Sequence, residues 1–239
     1  MNRVAVVTGS AKGLGRAIAL ALAENGYTLV VHYRKSKVEA QDVLELISKR
    51  SPGSIMVSGD LRNEDEVENI FAEIVEKLGR VDLLVNNVGD FIYKKFSETT
   101  NSEFRDLLET NLFATLYCSR AVLPVMRKQK SGNIINLGAV GAERIQVTEK
   151  STPYFMAKTA VYTLTKMMAW EEAKNGVRIN MISPASLETD IFESSDFPAG
   201  RSANYDDVIK TLLFLISEDA EYINGANIEV AGAFIPGMT

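Results

Sequence analysis

Cysteine and histidine are almost missing from this chain: Cys118 is its only thiol and His32 its only imidazole. A single cysteine forms no intrachain disulfide and no thiolate metal cluster, which fits a reducing compartment and makes the cytoplasm the expected location. One histidine leaves no support for a histidine metal site or for a serine–histidine pair, so His32 is read as a strand-end or cofactor-rim residue without chemistry of its own, and no metal is expected. Basic runs are absent too. Lys and Arg number 26 against 31 Asp and Glu, a net charge of -5, which argues against nucleic-acid and membrane-surface partners, since both need a basic stripe. No apolar run reaches bilayer-spanning length. The strand-like run Val4–Val7 begins so close to Met1 that no signal peptide is expected.

What the chain does have is 239 residues, 46% of them hydrophobic, enough for one large core. Short apolar runs alternate with longer amphipathic segments throughout, the pattern of a parallel sheet covered on both faces. We therefore expect an α/β fold: a Rossmann-like doubly wound sheet of about seven parallel strands with helices on both faces. Strands are expected near Arg3–Thr8, Thr28–Tyr33, Ser54–Gly59, Val81–Asn86, Asn133–Leu137, Arg178–Ser183 and Asn227–Val230. Capping boxes pair Asn63 with Glu66 and Thr100 with Glu103. The second box opens the longest helical stretch, to about Lys128. No repeat, low-complexity tract or linker divides the chain, so residues 1–239 are read as one domain. The one irregular region is about 188–204.

Two local patterns carry chemistry. The loop Thr8-Gly9-Ser10-Ala11-Lys12-Gly13-Leu14-Gly15 follows a strand and opens a helix at about Arg16–Glu24. Such a turn aims backbone N–H groups and the positive helix end at a dinucleotide diphosphate. At the end of the second strand, where an NAD site carries a carboxylate for the ribose 2′-hydroxyl, stands Tyr33, followed by Arg34, Lys35 and Lys37. With Lys12 these cations favour a 2′-phosphate, hence NADP(H) over NAD(H); the plainer alternative is a set of solvated helix-start charges. The second pattern is Tyr154 and Lys158, four apart and so on one helical face, where the ammonium would sit beside the phenol and favour its ionised form. That combination makes an acid/base for proton transfer.

Together these residues resemble the short-chain dehydrogenase/reductase family over essentially the whole chain. Thr8 to Gly15 is similar to its cofactor loop, Asp60 and Leu61 to its adenine contact, and Asn86-Asn87-Val88-Gly89 to a turn that steadies the sheet beside the cofactor. Asn111 matches the asparagine that holds a proton-relay water near the lysine, Tyr154 to Lys158 the catalytic motif, and Arg178 to Pro184 the strand leading to the nicotinamide; Thr189 fits the residue that meets the carboxamide. The resemblance implies that Tyr154 exchanges the proton, that Lys158 lowers its pKa and holds the nicotinamide ribose, and that NADPH delivers hydride to a small-molecule substrate. It also implies a homodimer or homotetramer through the segments Ser102–Lys128 and Pro153–Lys174, in which Leu107, Leu116, Val161, Leu164 and Met168 serve either core or interface.

Three departures from the family pattern shape the functional reading. Ala139 stands where the family's catalytic serine belongs, and a methyl cannot polarise a carbonyl; Ser151 or Thr152 would replace it only if the loop before Tyr154 folds inward. Ala185 replaces the glycine after Pro184. Between Thr189 and about Arg201 the chain is short for a substrate flap, with Ile191, Phe192 and Phe197 either covering the pocket or packing inward. Two substrate classes stay open, a 3-oxoacyl thioester and a pterin-like C=N compound, with Arg127, Lys128 and Lys130 either an acyl-carrier-protein docking site or a solvated helix end. The alternative to an enzyme is an NADP(H)-binding sensor or assembly protein whose catalysis has lapsed with Ala139.

Overall fold

The apolar runs pair side by side into one sheet. A computed structural model describes residues 3–144, 148–187 and 193–235. Its strands are β1 (Val4–Val7), β2 (Thr28–Tyr33), β3 (Ile55–Ser58), β4 (Leu83–Asn86), β5 (Gly132–Leu137), β6 (Val177–Pro184) and β7 (Asn227–Val230). They form a seven-stranded parallel sheet in the order β3-β2-β1-β4-β5-β6-β7. The helices are α1 (Gly13–Glu24), α2 (Lys37–Ser48), α3 (Glu64–Leu78), α4 (Asn101–Leu108), α5 (Ala114–Gln129), α6 (Thr152–Glu172) and α7 (Tyr205–Leu215).

Strands read as continuous apolar runs because both faces of the sheet are buried. Alternate residues serve opposite layers: Ala5, Val7, Leu29 and Val31 pack with Ile18 and Leu22 of α1, Val43 of α2 and Leu212 of α7. Val4, Val6, Val30 and Leu84 face Ile70 and Ile74 of α3 and Cys118 and Met126 of α5. Ile134, fully buried in the second layer, shows how much such packing matters: cutting it to alanine should cost about 2–5 kcal/mol.

Helix ends follow the side chains available there. Thr100 and Glu103 close a reciprocal capping box at α4. At α3, Asn63 accepts from the amides of Asp65 and Glu66, but the expected box stays half made: the Glu66 carboxylate takes the Asp60 N–H at 2.8 Å instead. The turn Asp60–Asn63 folds back within its reach, so Glu66 serves the loop rather than its own helix end. The long helical stretch is also interrupted, by a π-helical turn at Glu109–Phe113 between α4 and α5. Such turns insert one residue and re-aim side chains; here Asn111 is the residue turned inward, with no exposed surface.

The order of strands reverses beside β1, since β2 and β3 lie on one side and β4 to β7 on the other. In a sheet of this kind the crevice at the carboxyl ends of the strands flanking the reversal is where ligands bind. The glycine loop leaves β1 there, and Asn87 to Gly89 leave β4.

Candidate active site

Thr8 ties the two loops together. Its hydroxyl accepts from the amides of Asn87 at 2.8 Å and Val88 at 3.1 Å, while Asn87 Nδ2 donates to the Thr8 carbonyl at 2.9 Å. The glycines are required by closeness. A Cβ on Gly15 would lie 2.5 Å from the Gly9 carbonyl oxygen and 2.6 Å from Asn87 Nδ2, so α1 can start hard against the loop only because Gly15 has none. Gly9 takes a φ of +64°. The first-turn amides of α1, Gly13 and Leu14 among them, have no intrahelical acceptor and point out of the helix start. The Gly9 amide, in contrast, is already engaged: it donates to His32 Nδ1 at 3.0 Å, so its N–H is not among those offered to a diphosphate.

At the end of β2, Tyr33 is followed by Arg34, whose guanidinium lies 3.7 Å from Asp60. Asp60 is held more closely by Arg62, at 2.5 Å, and its carboxyl stays below the usual carboxylate range because of that hydrogen bond. Leu61 beside it is buried. Lys12 is also paired, with Glu39 of α2 at 2.6 Å, a partner its loop position gave no hint of. Both cations are surface groups, and exposed ion pairs of this kind are worth at most about 1 kcal/mol.

The second half of the site gathers at the ends of β4, β5 and α6. Lys158 is buried and donates to the Leu137 carbonyl at 2.8 Å; Asn111 donates through Nδ2 to the carbonyls of Asp90 at 2.9 Å and Leu107 at 3.0 Å. Asn111 Oδ1 is buried and has no hydrogen-bond partner among the described residues. Gly89 lies between them: a Cβ there would run into Asn111 Oδ1 and stand 3.4 Å from Lys158 Nζ. An orphaned acceptor beside a cradle that one methyl would fill, adjoining a glycine loop with free first-turn amides, fits a dinucleotide whose nicotinamide half enters here. Tyr154 lies one helical turn before Lys158, with Nζ 5.6 Å from its ring centroid.

The expected electrostatic coupling of this pair is not what the protein displays. Burial pushes the Tyr154 phenol up to about 12 and the Lys158 ammonium down to about 8. The reason is geometric: the lysine side chain runs past the ring and spends its hydrogen bond on the Leu137 carbonyl, so desolvation rather than the neighbouring cation governs the phenol. Phe91 meets Tyr154 edge-on, centroids 4.9 Å apart, and Tyr93 stacks on Phe91 at 6.3 Å. Both are half exposed, making an aromatic shelf beside the phenol. Its signal in the sequence was the cluster Phe91, Tyr93 and Phe96, which motif reading passed over.

The vacated serine position is not refilled by its neighbour. Ala139 is buried, 6% exposed, just past β5. Ser151 does fold inward, but its hydroxyl donates to the Ile92 carbonyl at 2.7 Å and its amide to Lys94 at 2.9 Å. Thr152 is the first residue of α6. Pro184 ends β6, with the Pro184 carbonyl accepting from the Val140 amide at 3.2 Å and the adjacent Ala185 buried. Of the lid residues, Phe197 packs inward against Phe234 with centroids 4.9 Å apart and is not a pocket cover; Thr189, Ile191 and Phe192 lie outside the described residues.

Other expectations resolve by burial. Leu107, Val161 and Met168 belong to the core, and the large apolar residues that α6 exposes are instead Met156, Met167 and Trp170, the last 87% exposed. Arg127 is not free to dock an acidic partner, because it forms a salt bridge to the buried Glu172 and lies 3.7 Å from Glu171. Among the described residues no cluster of His, Cys, Asp and Glu could hold a metal, and no helix is long and apolar enough to cross a membrane.

A doubly wound sheet with a glycine loop at its strand-order reversal and an inward Tyr–Lys pair defines a dinucleotide-dependent oxidoreductase class. The family model for enoyl-(acyl carrier protein) reductase matches residues 9–234. The 3-oxoacyl-acyl-carrier-protein reductase FabG of Staphylococcus epidermidis is 35% identical over 246 aligned positions, covering 97% of this chain and 98% of that protein. The corresponding reductase of Synechocystis sp. is 32% identical, covering 98% and 97%. Among solved structures, a gluconate 5-dehydrogenase from Burkholderia cenocepacia in complex with NADP and tartrate superposes with a TM-score of 0.88 at 27% identity, covering 96% of this chain and 94% of that one. The chain belongs to the short-chain dehydrogenase/reductase family of NAD(P)-dependent oxidoreductases.

Proposed function

We propose that this chain is an NADPH-dependent reductase of carbonyl or C=N substrates, with Tyr154 as the proton donor, a 3-oxoacyl thioester being the first substrate class to test. The observation that carries the reading is the convergence of Tyr154, Lys158, Asn111 and the bare face of Gly89 beside the glycine loop. A bound NADPH supplies the hydride. Gly13, Leu14 and Gly15 would hold the diphosphate end, Ser10 being buried and bonded to the His32 backbone behind them, with Asp60 and Leu61 at the adenine, and Asn87, Gly89, Pro184 and Thr189 at the nicotinamide half. Lys158 would hold the ribose, and the Asn111 side of the cradle a relay water.

The phenol's raised pKa suits this direction. A tyrosine that keeps its proton at neutral pH is in the form a reduction needs: it donates O–H to the substrate atom on which negative charge develops. Lys158, with a relay water held on the Asn111 side of the cradle, would then return a proton to the phenolate. Thioester specificity is supported by the similarity to 3-oxoacyl-acyl-carrier-protein reductases. NADP(H) preference is supported by the cations Arg34 and Lys12, by the absence of a carboxylate at Tyr33, and by the NADP in the gluconate 5-dehydrogenase complex. Fluorescence titration tests it: NADPH should bind at least about tenfold tighter than NADH, and Arg34→Asp should narrow or invert the difference. Equal dissociation constants in the wild type would remove the assignment.

A second substrate reading rests on a specific feature. The half-exposed Phe91 ring stands edge-on to the phenol with Tyr93 stacked on it, and Ala139 withholds the hydroxyl that a ketone needs but a C=N bond does not. Both favour a flat heteroaromatic substrate of pterin type. Following NADPH oxidation with a 3-oxoacyl thioester and, separately, with dihydrobiopterin separates the two, and NADPH binding without turnover on either would leave the sensor or assembly role. The proposal extends to a cytoplasmic homodimer or homotetramer assembled through α5 and α6. A carrier protein would have to use Lys128 and Lys130 rather than Arg127.

A further inference from the structure

His32 joins the two halves of the cofactor cradle. Its ring is 3% exposed at the end of β2 and uses both nitrogens: Nδ1 accepts the Gly9 amide at 3.0 Å, and Nε2 faces the Gly59 carbonyl at 3.1 Å. The backbone repeats the link, since the His32 carbonyl accepts from the Ser10 amide at 3.0 Å and the His32 amide donates to Ser10 Oγ at 3.0 Å. Gly9 begins the glycine loop and Gly59 immediately precedes Asp60. One imidazole thus sets the spacing between the loop that faces a diphosphate and the turn that faces an adenine.

The two bonds require one tautomer. An amide can only donate, so Nδ1 must be the bare nitrogen, and Nε2 carries the hydrogen it gives to the Gly59 carbonyl. Desolvation keeps the ring neutral, with its pKa pushed down to about 4. Gly9 cannot shift to compensate: at a φ of +64° a Cβ would already stand 2.9 Å from Val88 Cγ2, so this backbone is packed against the β4 loop on its other side.

We propose that His32 is a positioning residue for the dinucleotide, acting through the Gly9 amide to hold the glycine loop in its binding conformation. The proposal rests on the reading that the glycine loop binds NADP(H), and it deepens that reading. Two variants split the ring's functions. In His32→Asn the side-chain oxygen can stand in for Nδ1 and keep the Gly9 bond while the link to Gly59 is lost. In His32→Gln the longer amide reaches the Gly59 carbonyl but offers no acceptor at the Nδ1 position.

Fluorescence titration of the full chain with NADPH is the experiment, alongside steady-state kinetics on whichever substrate the wild type reduces. His32→Gln should weaken NADPH binding about tenfold and raise its KM alike, the effect expected from losing one buried acceptor, while kcat at saturating NADPH stays within about twofold. His32→Asn should restore affinity to within about threefold of wild type. Wild-type affinity in His32→Gln, or equal loss in both variants, would overturn the proposal in favour of simple space filling. A measurement on the wild type covers the case in which a variant fails to fold: the ¹⁵N spectrum of the ring at neutral pH should show Nδ1 bare and Nε2 protonated, and the opposite tautomer would refute the Gly9 bond. If the wild type binds neither NADPH nor NADH, the cofactor reading itself fails, a result distinct from any difference among the variants.

Discussion

Gly89→Ala places a single methyl group in the middle of the candidate site. Gly89 is not among the glycines at positive φ, so alanine meets no backbone strain there, and the whole effect comes from what the Cβ touches. It would stand 3.0 Å from Asn111 Cγ, closer still to Asn111 Oδ1, and 3.4 Å from Lys158 Nζ. Relief requires the carboxamide to retreat by about 1 Å, because carbon–carbon contacts are comfortable only near 3.5–4.0 Å. Asn111 is itself fully buried within the π-turn and holds the carbonyls of Asp90 and Leu107 through one nitrogen, so the retreat loosens two buried hydrogen bonds. At about 1 kcal/mol each, the variant should lose about 2 kcal/mol of stability, or roughly 4–8 °C in Tm for a chain of this size. The same displacement moves Asn111 and Lys158, and kcat should fall at least about tenfold, since small misplacements of positioned groups are expensive in rate. Gly53→Ala is the control: its Cβ would meet only the Thr28 side chain, Cγ2 at 3.6 Å and Oγ1 at 3.9 Å, ordinary contacts, and Tm and kcat should not move. Differential scanning calorimetry and NADPH oxidation read both. A Gly89→Ala protein with wild-type Tm and kcat would show that Asn111 and Lys158 are not arranged as described.

Further outcomes follow from the same site. Tyr154→Phe should abolish turnover while NADPH affinity by titration stays nearly intact, because the ring keeps its packing on Phe91 and only the hydroxyl goes; most of the activity surviving would mean that the proton comes from elsewhere. Lys158 has a folded pKa of about 8 against 10.5 for an ordinary lysine, so between those values the unfolded chain binds a proton that the native one does not, and its contribution to stability rises with pH. Chemical denaturation should therefore show wild type gaining on Lys158→Met from pH 8 to pH 10, and a flat difference would contradict the burial of the ammonium. Ala139→Ser should raise turnover on a simple ketone, where a new donor bonds the developing alkoxide, and leave a C=N substrate flat or slower; no gain with a ketone in a folded, NADPH-binding variant would shift weight to the pterin reading or to the binding-only role. Light scattering at micromolar concentration should give a dimer or tetramer, with Trp170→Glu on the exposed face of α6 reducing the mass, and a monomeric wild type would exclude assembly through that face.

Much of this protein was decided by local sequence. A parallel sheet buried on both faces demands continuous apolar strands, so β1 and β2 stood out as such, and the glycine loop was legible because strand, tight turn and helix start are adjacent in the chain. The Thr100–Glu103 box likewise concerns residues three apart. What only the tertiary structure decided are the choices a side chain makes among partners distant in sequence. Glu66 leaves its own helix end for Asp60, Lys12 meets Glu39, Lys158 turns to the Leu137 carbonyl, Ser151 is tied to Ile92, and Phe197 packs on Phe234. His32 is the sharpest case. Its residue type was visible at the end of a strand, but its role depends on Gly9 and Gly59, 23 and 27 residues away, being brought to opposite nitrogens of one buried ring. Periodicity and motif spacing record which face a residue occupies; which acceptor lies within 3 Å of it is set by how the loops at the ends of β1, β2 and β3 close on one another.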